Sequence, residues 1–96
     1  MSPRRTDHNQ AEIVKALRDA GCGVVDLHAV GNDFPDIIAG RSRRNILIEI
    51  KSDNGRLTPG QAIFHRDWPG QIAIARSVEE ALEIVGIAVY TTGGNR

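Results

Sequence analysis

Apolar residues at helical spacing begin the chain and predict a first helix. They recur every three or four positions, at Ile13, Val14, Leu17 and Ala20. Thr6 or Asp7 is suited to cap the start of this helix, and Gly21 is suited to end it. Residues 23–30 are rich in β-branched side chains and predict a strand, which the turn-forming residues 31–33 end.

Two short apolar runs around a basic turn predict a β-hairpin over residues 34–51. The first strand covers residues 36–40, and Pro35 suits its start because proline cannot donate a hydrogen bond to a sheet. The turn covers residues 41–44. The second strand, residues 45–51, has apolar residues on both faces, which indicates a central strand covered on both sides.

The rest of the chain predicts a helix, a strand and a last helix. Thr58, Pro59 and Gln61 predict a helix that starts with a capping box, in which Ile63 and Phe64 are the core residues. The Trp-Pro-Gly sequence that follows ends it. A buried strand over 71–76 precedes a second capping box at Ser77 and Glu80, whose helix ends at Gly86. Residues 87–90 suit an edge strand or a segment that pairs with another chain.

The predicted order α-β-β-β-α-β-α indicates an α/β fold, with a central mixed sheet flanked by helices on both faces. The 96 residues suggest a single domain, with a core of about residues 7–86 and a flexible tail at 91–96. A single cysteine excludes an internal disulfide and argues against a thiolate metal cluster. No apolar run approaches the ~18 residues of a membrane span, and the N-terminus lacks the apolar core of a signal peptide. We therefore expect a cytoplasmic location.

The formal net charge is zero, but its distribution is uneven. Residues 41–66 include six basic residues and only two acidic ones, which is compatible with a polyanionic substrate. The candidates for phosphate contacts are Arg41, Arg43, Arg44 and Arg56. Solvated arginines of turns and loops explain the same pattern equally well.

Three charged residues of the hairpin are not needed for its structure: Asp36, Glu49 and Lys51. Glu49 and Lys51 are two residues apart on a strand, so their side chains leave the same face, and Asp36 begins the partner strand. Oxygen ligands without cysteine or a histidine cluster favour Mg²⁺ or Mn²⁺. Asp36, Glu49 and the backbone carbonyl of Ile50 are the candidate ligands, and Lys51 can stabilise developing negative charge. The structural alternative is an ion pair at a strand end.

Glu12 lies at the border of the apolar stripe of the first helix, and the residues alone favour a surface role for it, paired with Lys15 or near the helix start. Gln61 likewise has a structural role as the capping-box partner of Thr58. His28 in the first predicted strand is best interpreted as a packed or surface histidine.

Pro35-Asp36 followed by Glu49-Ile50-Lys51 resembles the PD-(D/E)XK nuclease signature. Together with Gln61, Glu12 and the order of elements, it resembles the VRR-NUC family over about residues 12–86. That resemblance implies a restriction-endonuclease-like fold and a divalent-metal-dependent DNA nuclease. Asp36 and Glu49 match its metal-binding carboxylates and Lys51 its catalytic lysine.

The resemblance also makes Gln61 and Glu12 site residues, with Glu12 as a further candidate metal ligand. Small members of the family are similar to Holliday-junction resolvases in working as homodimers, which implies branched DNA as the substrate. Phe34 departs from the smaller aliphatic residue common in the family, a change expected to alter packing rather than chemistry. Two alternatives stay open: a non-catalytic DNA-binding or assembly module, and a nuclease subunit that is active only in a larger complex.

Overall fold

The computed structural model describes the backbone of residues 5–89 and the side chains of residues 9–89. The elements are α1 (Arg5–Asp19), β1 (Gly23–Asp26), a 3-10 helix (His28–Val30), β2 (Ile37–Arg41), β3 (Arg44–Ile50), α2 (Pro59–Asp67), β4 (Ile72–Ala75) and α3 (Val78–Ile84). This order confirms the predicted α/β fold, with the 3-10 helix as the one addition.

The four strands form one mixed sheet in the order β1-β2-β3-β4. The pairs β1–β2 and β2–β3 are antiparallel, whereas β3 and β4 are parallel. Parallel neighbours need a crossover connection, and α2 lies in the one between β3 and β4. The carboxyl ends of β3 and β4 therefore meet at the same end of the sheet, where the backbone N–H of Lys51 donates to the carbonyl of Ala75 at 3.1 Å.

The hairpin between β2 and β3 turns through Ser42 and Arg43, which both have positive φ angles, of 54° and 66°. A two-residue loop with this conformation matches the twist of the flanking strands and fixes their register. In that register Ile37 lies opposite Ile48. The next pair in this register is therefore Asp36 and Glu49, as the sequence predicted.

One face of the sheet carries the main core. Its side chains alternate along the strands and pack against α1 and α3, which contribute Ile13 and Leu17, and Ala81 and Val85. The sheet residues of this core are Ile37, Ala39, Ile46, Ile48, Ile50 and Ala75. Gly21, with φ at 97°, ends α1 as predicted. None of the helices within residues 5–89 is long and apolar enough to cross a membrane.

The opposite face carries an apolar row that crosses all four strands. It consists of Val25, Ile38, Leu47 and Ile72, which are direct neighbours across the three strand pairs. Leu47 is buried, whereas Val25 at the outer strand is 58% exposed. Glu49 lies on this same face, two residues beyond Leu47, because side chains alternate along a strand.

Several local predictions were wrong. The strand predicted over 23–30 ends at Asp26, because the carboxylate of Asp26 accepts a hydrogen bond from the backbone N–H of His28 at 2.7 Å and turns the chain. Thr6 and Asp7 lie inside α1 rather than at its cap, since both residues are tolerated in a first helical turn. Ile63 is not a core residue, because its side chain is 51% exposed.

Two further predictions near the C-terminus need correction. Ser77 caps α3 by accepting from the backbone N–H of Glu80 at 3.1 Å, but Glu80 does not complete a capping box. Its carboxylate instead accepts from the backbone N–H of Arg76 at 2.7 Å. In β4 only Ala75 is fully buried, so the predicted buried strand is half-covered. Residues 87–89 are in no strand, while residue 90 and the predicted tail lie outside the described part of the chain.

Candidate active site

Asp36 and Glu49 meet where β2 begins and β3 ends. Pro35, which is fully buried, directly precedes Asp36 and has no backbone N–H to donate to the sheet. The Asp36 Oδ2 atom accepts a hydrogen bond from the backbone N–H of Ile50 at 2.7 Å. The side chain of Glu49 is only 4% exposed. Two carboxyl groups are therefore held side by side at the rim of the core.

The surroundings of Glu49 disfavour its ionised form. Burial, followed by the nearby charge of Asp36, raises its pKa to about 7, although Lys51 opposes both effects. The Lys51 Nζ atom lies 3.5 Å from Glu49 Oε2, which is long for an ion pair, and Glu49 Oε1 is buried with no hydrogen-bond partner among the described residues. A buried carboxylate oxygen without a partner is costly, so the position favours a cation.

Gln61 has both of the roles considered from the sequence. Its Oε1 atom accepts from the backbone N–H of Thr58 at 3.0 Å, and its own N–H donates to Thr58 Oγ1 at 3.1 Å, which completes the capping box of α2. Its Nε2 atom donates to Glu49 Oε2 at 3.3 Å. The amide is therefore held by the start of the helix and presented to the carboxylate.

The segment before Asp36 is anchored to α2 by three aromatic rings. Phe34 packs edge-on against Phe64, with ring centroids 5.3 Å apart, and against Trp68 at 6.3 Å. Phe64 and Trp68 stack at 5.3 Å. The effect of Phe34 on packing is therefore a contact: its ring joins the segment before Asp36 to α2, the helix that bears Gln61.

The loop after Lys51 is held by two residues that the sequence did not single out. Arg76 Nη1 donates to the carbonyls of Ser52 and Gly55 at 2.7 and 2.6 Å. Asn9 Nδ2 donates to the carbonyls of Lys51 and Arg76 at 3.1 and 3.3 Å. These contacts join residues 21 to 67 positions apart in the chain, so no local pattern could have indicated them.

His65 is another residue that the sequence analysis missed. It lies one turn after Gln61 on α2, and burial followed by the charge of Lys51 lowers its pKa. Its Nε2 atom is buried and has no hydrogen-bond partner among the described residues. The spacing of four residues from Gln61 was the available signal, because residues four apart lie on one side of a helix.

The predicted metal ligands are brought together only in part. Asp36 and Glu49 fit a hard divalent cation, since both are carboxylates and one buried oxygen has no partner. Within the part of the chain that the structure describes, no three His, Cys, Asp or Glu side chains form a group that could hold a metal ion. Glu12, whose side chain is exposed on α1, therefore does not complete such a group. A ligand role for it and for the carbonyl of Ile50 stays a prediction.

The predicted DNA-contacting arginines differ in how they are held. Arg41 Nη1 donates to the carbonyls of Val85 and Gly86 at 3.1 and 3.3 Å, so it also closes the C-terminal end of α3. The exposed members of the set are Arg43, Arg44 and Arg56. Their contact with phosphates stays a prediction.

A family model described as archaeal Holliday junction resolvase (Hjc) matches residues 1–59 of the chain, which is more than half of it. The match includes Glu12, Asp36, Glu49 and Lys51, and it ends before Gln61. A comparison with curated proteins found no match.

Proposed function

This chain belongs to the archaeal Holliday junction resolvase family, a family of restriction-endonuclease-like nucleases, and from that premise we propose that it is a divalent-metal-dependent endonuclease that cuts Holliday-junction-like branched DNA. The observation that carries the proposal is the buried Glu49 carboxyl, which lies beside Asp36 and is contacted by Lys51 and Gln61. A more specific likeness to the VRR-NUC family depends in part on Gln61, which lies beyond the matched residues, and it stays part of this proposal.

In the proposed mechanism Asp36 and Glu49 would hold Mg²⁺ or Mn²⁺. The bound ion supplies Lewis acidity toward a phosphate oxygen and toward a water molecule. Asp36 keeps its carboxylate oriented through the backbone N–H of Ile50, and Gln61 orients Glu49 through the contact to Oε2. Lys51 places its ammonium beside the same carboxylate, where it can stabilise the negative charge that develops on the phosphate.

The test compares cleavage of a labelled four-way junction, a flap and a linear duplex, each with Mg²⁺, with Mn²⁺ and with a chelator. We expect metal-dependent cleavage of the junction in preference to the linear duplex, and loss of cleavage in Asp36→Asn. Asp53→Asn is the matched control, because Asp53 is an exposed aspartate of the loop after the site.

The outcomes separate the candidate functions. Equal cleavage by Asp36→Asn and the wild type would contradict the assigned site. Metal-independent binding without cleavage of any substrate would instead favour a DNA-binding or assembly module, and activity that returns only with a second protein would favour a nuclease subunit.

We also propose that the enzyme works as a homodimer, with two sites for two strands of a junction. The apolar row supports this proposal, because it leaves Val25 58% exposed at the end of a continuous apolar surface. Val25→Glu is expected to shift the mass in solution from dimer to monomer, because a charge placed in a buried contact is costly. Val30→Glu is the control, since Val30 is 51% exposed and lies on the 3-10 helix rather than on a strand of the row. A concentration-independent monomer mass of the wild type would contradict the homodimer.

A further inference from the structure

His65 lies on the side of α2 that faces the site. Residues four apart on a helix stack on one side, and the residue one turn earlier, Gln61, contacts Glu49 Oε2 at 3.3 Å. Lys51 Nζ approaches the same oxygen at 3.5 Å, with a side chain that is only 16% exposed. The imidazole and the ammonium therefore lie in the same half-buried region, which agrees with the effect of the Lys51 charge on the pKa of His65.

The Nε2 atom of His65 lacks the hydrogen bond that a buried nitrogen requires. It is buried without a partner among the described residues, and a buried polar atom without a hydrogen bond is destabilising. Burial and the charge of Lys51 lower the pKa of His65 and so favour the neutral imidazole, in which one ring nitrogen carries a free lone pair. The group is therefore suited to accept a hydrogen bond from a nearby donor.

The ammonium of Lys51 needs such an acceptor. Its contact with Glu49 is long at 3.5 Å, and a divalent cation held by Glu49 and Asp36 repels it further, because both are positive. A bound cation would therefore weaken the contact of Lys51 with Glu49, and a second hydrogen-bond partner would keep the ammonium in position. His65 offers the unused acceptor on the neighbouring helix.

We propose that His65 is a positioning residue for Lys51: its Nε2 atom accepts a hydrogen bond from the Lys51 ammonium and holds it toward the phosphate when the carboxylates bind a divalent cation. This inference rests on the proposed nuclease function. The residue lies beyond residues 1–59, which the family model matches.

The first test is a nitrogen NMR spectrum of the imidazoles in the full chain, recorded with and without Mg²⁺. We expect the chemical shift of His65 Nε2 to be that of an unprotonated nitrogen. Adding Mg²⁺ should move this shift toward the value of a nitrogen that accepts a hydrogen bond. In Lys51→Met the shift should stay in place when Mg²⁺ is added. A proton on Nε2, or the same movement in Lys51→Met, would overturn the proposal. This measurement needs no DNA cleavage, so it tests the role of His65 even where no substrate is cut.

The second test is kinetic. His65→Leu is expected to lower kcat on the junction about 10- to 100-fold with little change in KM, the range typical for residues that orient a catalytic group. His65→Gln, whose side-chain oxygen can take the place of Nε2, is expected to restore most of the rate. His28→Leu is the control, because it makes the same change at an exposed histidine on the 3-10 helix.

Equal losses in His65→Leu and His65→Gln, or none in either, would overturn the positioning role. Inactivity of the wild type on every DNA would instead reject the proposed function, and the NMR result would then decide the role of His65. The melting temperature of each variant shows whether a loss of rate reflects unfolding.

Discussion

Replacing Lys51 with methionine is expected to lower the rate of junction cleavage about 100- to 1,000-fold, the usual cost of removing one preorganised group that stabilises transition-state charge. Methionine keeps the length and apolar body of the side chain, so the half-buried stem still packs. DNA affinity should change little, since the loss concerns one charge inside the site rather than the exposed basic surface. Single-turnover cleavage and a separate binding assay measure the two effects.

Lys15→Met is the matched control for this experiment. Lys15 lies on α1 with a side chain that is 76% exposed, and it pairs only with Asp19 among the contacts described. The Lys15→Met variant should cleave the junction at the rate of the wild type. If Lys51→Met kept full activity while Asp36→Asn lost it, the metal site would stand and the role given to the ammonium would be wrong.

The second large effect is on stability in the absence of divalent cations. Folding raises the pKa of Glu49 from 4.5 to about 7, so the folded chain holds a proton that the unfolded chain releases near pH 4.5. Stability should therefore fall as the pH rises from 4.5 to about 7 and then level off, with a contribution of at most about 3.5 kcal/mol from this group. Urea unfolding at pH 5 and pH 8 with a chelator present measures it.

Glu49→Gln should remove most of this pH dependence and be more stable than the wild type at pH 8, because a neutral amide replaces a buried charge of similar shape. Glu83→Gln, at an exposed position of α3, should keep the dependence of the wild type. Adding Mg²⁺ at pH 8 should raise the melting temperature of the wild type and leave that of Glu49→Gln nearly unchanged. An equal rise in both would argue against Glu49 as a metal ligand.

The hairpin and its three charged residues could be predicted from the sequence for a physical reason. A two-residue turn fixes the register of two strands, and alternation then decides which side chains share a face. Asp36 and Glu49 are therefore neighbours as a direct result of local rules, and the contact of Lys51 with Glu49 follows from their separation by two residues. The capping box similarly placed Gln61 at the start of α2, because its signal lies within four residues.

The parts that could not be predicted depend on contacts between distant segments. Asn9 and Arg76 hold the loop after Lys51 through backbone carbonyls, and carbonyls carry no sequence signal. The exposure of Ile63 depends on which side of α2 turns toward the sheet, which its own residues do not decide. The orphan nitrogen of His65 becomes visible only when the surrounding side chains are in place.

The hold of Arg76 on the loop after Lys51 also bears on when the site can form during synthesis. Asp36, Glu49, Lys51 and Gln61 all lie within residues 36–61. The loop between Lys51 and α2, however, is held by hydrogen bonds from Arg76, and the backbone N–H of Lys51 donates to the carbonyl of Ala75. A nascent chain that ends after α2 therefore contains these four side chains but lacks the residues that hold the loop beside them. The candidate site therefore has its full set of supporting contacts only after β4 and Arg76 have been synthesised and have docked.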